Sequence, residues 1–181
     1  MNLQDLYNVA KTHKDTHKSC GGEPYKSYEK LFEIVQNFAS NKLNVDILEL
    51  GTAIGFTAIV MRLANKNVFV DTIDTHTEHI KIAKTWTKQF ECINVIQTDV
   101  FKIFPYLETN KYDIIFYDVY GSKKKFLPDL IRILKKDGLL ITANRHLKSA
   151  EKEYFEELLD TNRWEFVEEF ADTIVHKKIC N

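Results

Sequence analysis

The stretch Val45-Asp46-Ile47-Leu48-Glu49-Leu50-Gly51-Thr52-Ala53-Ile54-Gly55-Phe56-Thr57-Ala58 decides the architecture. An apolar run closes on Glu49-Leu50, two glycines interrupt it, and an apolar helical pattern starts at Phe56. This is a strand, a turn and a helix. Gly51 allows backbone to come close to a ligand, and Gly55 lets the turn tighten into the helix. The pattern is E-x-G-x-x-x-G, which differs from the G-x-G-x-x-G of dinucleotide sites. Ala53 stands where that fingerprint has a glycine making room for a pyrophosphate. A ligand without a pyrophosphate is therefore favoured, and an NAD-dependent oxidoreductase is disfavoured.

Outward from this stretch, short apolar runs alternate with helical patterns. Strands are expected at Val45–Leu50, Val68–Asp74, Ile93–Gln97, Tyr112–Asp118 and Gly138–Ala143. Helices are expected at Phe56–Ala64, Thr77–Phe90 with Thr77 as its N-cap, Phe101–Leu107 and Lys124–Lys135. The continuous run Ile114-Ile115-Phe116 is that of a parallel strand covered on both faces. Strand–helix alternation implies right-handed crossovers and a parallel sheet between helical layers. A helix near Ser149–Asp160 precedes Trp164–Phe170 and Thr173–Ile179, which are joined by Ala171-Asp172 as a hairpin. Two helices, Asn2–Lys18 and Tyr25–Ser40, are expected before the first strand.

Composition bounds the function. The chain has 181 residues, 25 Lys plus Arg against 26 Asp plus Glu, and 44% hydrophobic residues. That length suits one domain, 1–181, and the balance gives no overall footprint for nucleic acid. No apolar run reaches the ~20 residues of a membrane helix. Met1 to Lys14 shows no secretory signal pattern. Cys20, Cys92 and Cys180 are odd in number, widely spaced and without a CxxC pair, so a reducing cytoplasm is the expected setting.

Acidic residues end four of the expected strands. Glu49 ends the first. Asp74, 23 residues after Gly51, can accept hydrogen bonds from both hydroxyls of a ribose, or cap a helix. Asp99 can accept from an exocyclic amine such as adenine's, or cap the next helix. Asp118 ends a central strand, and in open α/β sheets the ligand crevice lies outside such ends.

With these residues in place, the chain resembles the class I S-adenosylmethionine-dependent methyltransferases. It is most similar to the O-methyltransferases typified by the catechol and caffeoyl-CoA enzymes. The resemblance runs from Val45 to Arg145 and rests on Leu48–Gly55, Ile73-Asp74, Asp99, Tyr112–Asp118 and Leu134–Leu140. It implies a Rossmann-like, doubly wound α/β fold whose seven-stranded mixed sheet has the order 3-2-1-4-5-7-6. Residues 45–181 would form the cofactor core with its hairpin, and 1–44 a helical cap.

The resemblance also implies site roles. Glu49, Gly51, Thr52 and Gly55 would surround the methionine end of S-adenosylmethionine. Asp74, with Thr75 beside it, would hold the ribose, and Asp99 with Val100 the adenine. Asp118 would lie beside the methyl group and, in metal-dependent relatives, would also be a metal ligand; Asp118 and Asn144 are the catalytic candidates. Metal-dependent relatives complete a metal site with an Asp-Asn pair, but here the pair is Ala143-Asn144. No intact divalent-metal site is therefore expected, because magnesium takes a set of oxygen ligands. The relatives' lysine three residues after the Asp is Gly121 here. Lys123, Lys124 and Lys125 follow, either as a shifted base or as solvated lysines opening a helix.

The expected function is O-methylation of a small-molecule acceptor. The alternatives are RNA base methylation, suggested by eight basic residues between Lys123 and Lys148, and a non-catalytic S-adenosylmethionine-binding protein. Relatives often pair, so a homodimer is possible. His13, His17 and Cys20 have zinc-like spacing without an evident fourth ligand. Arg145 and His146 follow a strand end and are candidates for acceptor contact, while His76 and His79 suit a polar helix start.

Overall fold

The computed structural model describes residues 2–12, 24–119, 123–143 and 151–180. Helices α1 (Leu3–Thr12) and α2 (Pro24–Ala39) come first. Then β1 (Val45–Leu50), α3 (Phe56–Ala64), β2 (Val68–Asp74), α4 (Thr77–Thr87) and β3 (Ile93–Gln97) alternate. A single turn of helix, α5 (Val100–Ile103), runs into the 3₁₀ turn Phe104–Tyr106 and leads to β4 (Tyr112–Tyr117). Helix α6 (Lys123–Ile133), β5 (Leu134–Thr142), α7 (Lys152–Glu157), β6 (Trp164–Phe170) and β7 (Thr173–Lys178) complete the order.

The seven strands form one sheet in the order β3-β2-β1-β4-β5-β7-β6. β1 to β5 pair in parallel, and β7 enters antiparallel between β5 and β6. The doubly wound fold and its strand order are those expected. β4 is buried along its whole length, which is why its residues form an uninterrupted apolar run. On one face Leu31, Val35, Ile59 and Val60 cover Ile47, Val70 and Ile114. On the other, Leu130, Ile133 and Tyr154 cover Leu48, Ile115 and Leu140. Leu6 and Tyr28 of the first two helices join the former cluster. Side chains at Tyr28, Leu31 and Val35 recur at three and four residues, so one stripe of α2 meets the sheet layer.

Several boundaries differ from the pattern: the helices expected at Thr77–Phe90, Lys124–Lys135 and Ser149–Asp160 are observed as Thr77–Thr87, Lys123–Ile133 and Lys152–Glu157. β5 starts at Leu134, four residues before the expected Gly138. Its pairing with β4 jumps from Tyr112↔Leu134 to Ile114↔Leu139, so Lys135-Lys136-Asp137 bulge out of the ladder. Asp137 takes a φ of 62°, which suits a polar residue in a bulge. Helix α5 is shorter than Phe101–Leu107 because Pro105 cannot donate within a continuing α-helix. His76, and not Thr77, caps α4: its ring Nδ1 accepts from the His79 N–H at 3.3 Å. The expected helix Asn2–Lys18 is described only as Leu3–Thr12. No described helix is long and apolar enough to cross a membrane.

Candidate functional site

The site is built where the carboxyl ends of β1, β2 and β4 meet. The Gly51 and Thr52 N–H groups both donate to the Ile73 carbonyl, at 2.9 and 3.2 Å. The Asp118 N–H donates to the Leu50 carbonyl at 2.8 Å, so strand pairing continues past the end of β4. Gly51 has a φ of 104°, and a Cβ there would lie 2.4 Å from the Asp118 carbonyl oxygen. The sequence suggested a close approach to a ligand. The close approach observed is to the backbone of Asp118. Gly55, at φ 86°, lets α3 start against Ala83 and Thr87 of α4.

Asp74 closes the turn. Its Oδ2 accepts from the Ala53 N–H at 2.9 Å and its Oδ1 from the His76 N–H at 2.8 Å. One carboxylate therefore fixes both the glycine turn and the start of α4. Each oxygen keeps a lone pair, and the group is only partly buried. Thr75 beside it is exposed. Asp99 caps α5, accepting the Phe101 N–H at 2.7 Å, so the capping role weighed from sequence is real. Its second oxygen makes no described bond to a cap, and Val100 behind it is buried.

Glu49 is wholly buried, an unusual place for a carboxyl group. It pairs across the ladder with Thr72, whose hydroxyl donates to Glu49 Oε2. The Thr72 and Thr52 hydroxyls are 2.7 Å apart and extend this chain toward the glycine turn. Glu49 Oε1 is buried without a partner among the described residues. Burial holds the Glu49 pKa well above the carboxylate range. The Thr72 hydrogen bond opposes this shift, while repulsion from Asp118 and Asp74 adds to it. Glu49 Oε1 is the orphaned oxygen here, and a cationic ligand group would give it a partner. Thr72 was not singled out from sequence. Its register opposite Glu49 is the signal that identifies it.

Lys123 departs from the solvated lysine weighed above. Its side chain is fully buried, whereas Lys124 and Lys125 are exposed. Its Nζ makes a long contact of 3.5 Å with the Val119 carbonyl and lies 5.5 Å from the centre of the Tyr117 ring. Burial pushes the Lys123 pKa down, opposed by Glu151, Asp118 and Asp172. Its backbone N–H donates to Glu151 Oε2 at 2.9 Å.

Four other basic residues of the described part of the stretch have partners within the chain. Lys124 pairs with Glu153 at 2.6 Å, and Lys135 with Asp113 at 2.7 Å. Arg132 donates to the Leu107 and Phe104 carbonyls, both at 2.7 Å. Lys125 Nζ sits 4.6 Å from the Phe101 ring centre. Asn144, Arg145, His146, Gly121, His13, His17 and Cys20 lie outside the described residues. Among the described residues no three His, Cys, Asp or Glu side chains converge as a metal site. Ala143 is buried and offers a methyl group where a metal would need oxygen.

A family model for a methyltransferase domain matches residues 41–178. Solved structures of the same fold support the comparison. One, from Staphylococcus aureus and described as a caffeoyl-CoA O-methyltransferase, is 19% identical with a TM-score of 0.69; the match covers 98% of this chain and 99% of that one. The Bacillus cereus O-methyltransferase, solved with S-adenosylhomocysteine, is 13% identical with a TM-score of 0.75, covering 98% and 90%. The S-adenosylhomocysteine-bound methyltransferase of Podospora anserina is 14% identical with a TM-score of 0.74, covering 99% and 88%. At such identities the structures speak for the fold, and the family model speaks for the family. The chain therefore belongs to the methyltransferase-domain family, on the seven-stranded fold of the class I S-adenosylmethionine-dependent methyltransferases.

Proposed function

We propose that this protein transfers the methyl group of S-adenosylmethionine to an oxygen of a small-molecule acceptor, in the cytoplasm and as a single domain. The observation that carries the cofactor reading is the convergence of Glu49, Asp74 and Asp118 on a glycine turn, with Glu49 Oε1 unpartnered. The acceptor class is supported by the O-methyltransferases among the structures of like fold.

In this reading Glu49, Gly51, Thr52 and Gly55 frame the methionine end, Glu49 accepting from its ammonium. Asp74 and Thr75 take the ribose hydroxyls, and Asp99 with Val100 the adenine. Asp118 and Asn144 are the catalytic residues of this reading, with the task of aligning the acceptor. The cofactor supplies a methyl group already activated on a sulfonium. The protein's share is then alignment, worth ~7–11 kcal/mol when two reactants are well oriented. Helices α1 and α2, within residues 1–44, shape the acceptor side. No step is routed through a metal, since Ala143 removes an oxygen from the set.

Methylation of RNA is less well supported. Among the described residues Lys123 is buried and Lys124, Arg132 and Lys135 have partners within the chain, which leaves Lys125 and Lys136 as the remaining exposed lysines of the described stretch and weakens the support for a phosphate-binding face. Calorimetry tests the proposal: S-adenosylmethionine and S-adenosylhomocysteine should both bind, and Asp74→Ala should weaken each by ten-fold or more. No binding at millimolar ligand would sink the reading. Release of S-adenosylhomocysteine in the presence of a panel of phenols and hydroxy acids would then identify the acceptor.

A further inference from the structure

Asp74 is held at both oxygens, and the two holds differ in kind. Oδ2 accepts from the Ala53 N–H, inside a turn that the Gly51 and Thr52 N–H groups tie to the Ile73 carbonyl. Oδ1 accepts from the His76 N–H at 2.8 Å, so it depends on where the residue before α4 is placed. Two further bonds place that residue. Its carbonyl accepts from the Ile80 N–H at 3.0 Å, closing the first turn of α4, and its ring Nδ1 accepts from the His79 N–H at 3.3 Å. The ring bond holds His76 in the extended cap conformation, φ −79° and ψ 110°, in which its own N–H reaches back to Asp74.

Side-chain N-caps are mostly Ser, Thr, Asp or Asn, none of which takes up a proton near neutral pH. A histidine nitrogen accepts only while the ring is neutral, and both nitrogens donate once it is protonated. The His76 ring is exposed, so protons reach it. A charged ring leaves the His79 N–H without its acceptor. It also puts a cation at the positive end of a helix, with the His79 ring centre 4.1 Å away. The titratable groups around the ring are Asp74 at the end of β2 and Glu78 and His79 on α4, with Glu78 paired to Lys81 at 2.8 Å. β3 reaches this helix start through the uncharged Gln97, which donates to the Thr77 hydroxyl at 2.8 Å. α3 meets α4 at Ala83 and Thr87, about two turns further along. Attraction of a charged ring to Asp74 works in the same direction as loss of the cap, because it engages lone pairs that ribose hydroxyls would use.

We propose that His76 is a positioning residue for the Asp74 carboxylate: its neutral ring caps α4 and so holds the N–H that aims Oδ1, and a proton on the ring releases that hold and weakens the grip on the ribose. This rests on the cofactor reading above and adds a residue outside the positions that the resemblance supplies. His76 acts through Asp74 and does not touch the ligand.

The test is calorimetry of S-adenosylhomocysteine on the full-length chain at pH 7.5 and pH 5.5, with folding at both checked by circular dichroism. His76→Asn keeps a side-chain acceptor that takes up no proton in this range. The affinity of the wild type should fall about five-fold more between the two values than that of His76→Asn, the factor that one N-cap supplies. Titration of the ligand or of Glu49 is common to both proteins and cancels in this comparison. His76→Ser serves in the same way if the Asn variant does not fold. His79→Gln keeps the N–H that donates to the ring and should keep the wild-type fall. In the Asp74→Ala background the difference between His76 and His76→Asn should vanish, which a merely structural role for the cap would not produce. Falls in the wild type and His76→Asn that agree within two-fold overturn the inference alone, as does a difference that persists without Asp74 or one that is lost in His79→Gln. Binding of the ligand by none of the proteins at either pH removes the cofactor reading and the inference with it.

Discussion

The glycine turn after β1 supports a graded prediction from three single substitutions. Gly51→Ala places a methyl group 2.4 Å from the Asp118 carbonyl oxygen, against a practical minimum of 3.0 Å. Something must shift by roughly 0.6 Å, the difference between those distances. The obstacle is backbone, and that backbone is tied to Leu50 by a 2.8 Å hydrogen bond, so it yields poorly. The φ of 104° adds strain of ~1–3 kcal/mol for an L residue. Together with overpacking of ~1–3 kcal/mol, the expected loss is about 2–6 kcal/mol. Gly55→Ala meets Ala83 Cβ at 3.1 Å and Cα at 3.2 Å, a lesser conflict that a small movement of α4 relieves. Its expected loss is ~2 kcal/mol, mostly from the positive φ. Ala53, at φ 43°, already carries left-handed strain, so Ala53→Gly should stabilise by ~0.5 kcal/mol after the entropy cost of glycine. Urea unfolding of the wild type and the three variants measures the order directly. Calorimetry with S-adenosylhomocysteine should show the largest affinity loss in Gly51→Ala, because the carbonyl that moves belongs to Asp118. A loss below ~1 kcal/mol in Gly51→Ala, or one no larger than in Gly55→Ala, would refute the reasoning.

Three other outcomes follow from the structure. His176 is buried between Trp164 and Phe166, and burial lowers its pKa from 6.5 to about 4. Between those values the unfolded chain takes up a proton that the folded chain refuses. Stability therefore falls as pH drops from 6.5 towards 4, by up to ~3 kcal/mol, and is unaffected above pH ~7.5. His176→Leu should abolish this part of the slope in denaturant melts run at pH 7.5 and pH 5, and an unchanged slope would refute the assignment. Prolonged dialysis against a chelator should leave methyl transfer within two-fold, since Ala143 offers no oxygen; a loss restored by magnesium would contradict that reading. Ala171→Gly, in the hairpin turn at φ 46°, should raise stability by ~0.5–1 kcal/mol in urea unfolding, and a decrease would show that the turn is not strained.

What was legible in the sequence depended on period and punctuation. The glycine turn, β2, β3 and the hairpin β6–β7 could be placed because their residues repeat one environment over several positions. β4 was the clearest, since a strand buried on both faces has no polar alternation to confuse it. The start of β5 was hidden because Lys135-Lys136-Asp137 bulge out of the ladder and have the composition of a turn. Glu49 was expected at the ligand, and its burial against Thr72 could not be seen without the β1–β2 register. Lys123 was the least legible. Three consecutive lysines look alike in sequence, and only the approach of α6 to the end of β4 decides which one is buried. The strand-end carboxylates emerged because each closes an apolar run. Their second task, of fastening turns and helix starts, depends on backbone geometry.

The place of β7 has a consequence for the birth of the protein. In chain order it is the last described strand, yet in space it lies inside the sheet, between β5 and β6. A nascent chain halted anywhere before Thr173 can form β1 to β5 but must leave β5 as an open edge. Its row of unpaired amides and carbonyls would invite pairing with other chains. Only when β7 arrives, with Lys178 reaching the carbonyls of Ile131 and Leu134, are that edge and the end of α6 sealed together. Chains truncated by a few residues at this strand should therefore be far more prone to aggregate than their small loss of mass suggests.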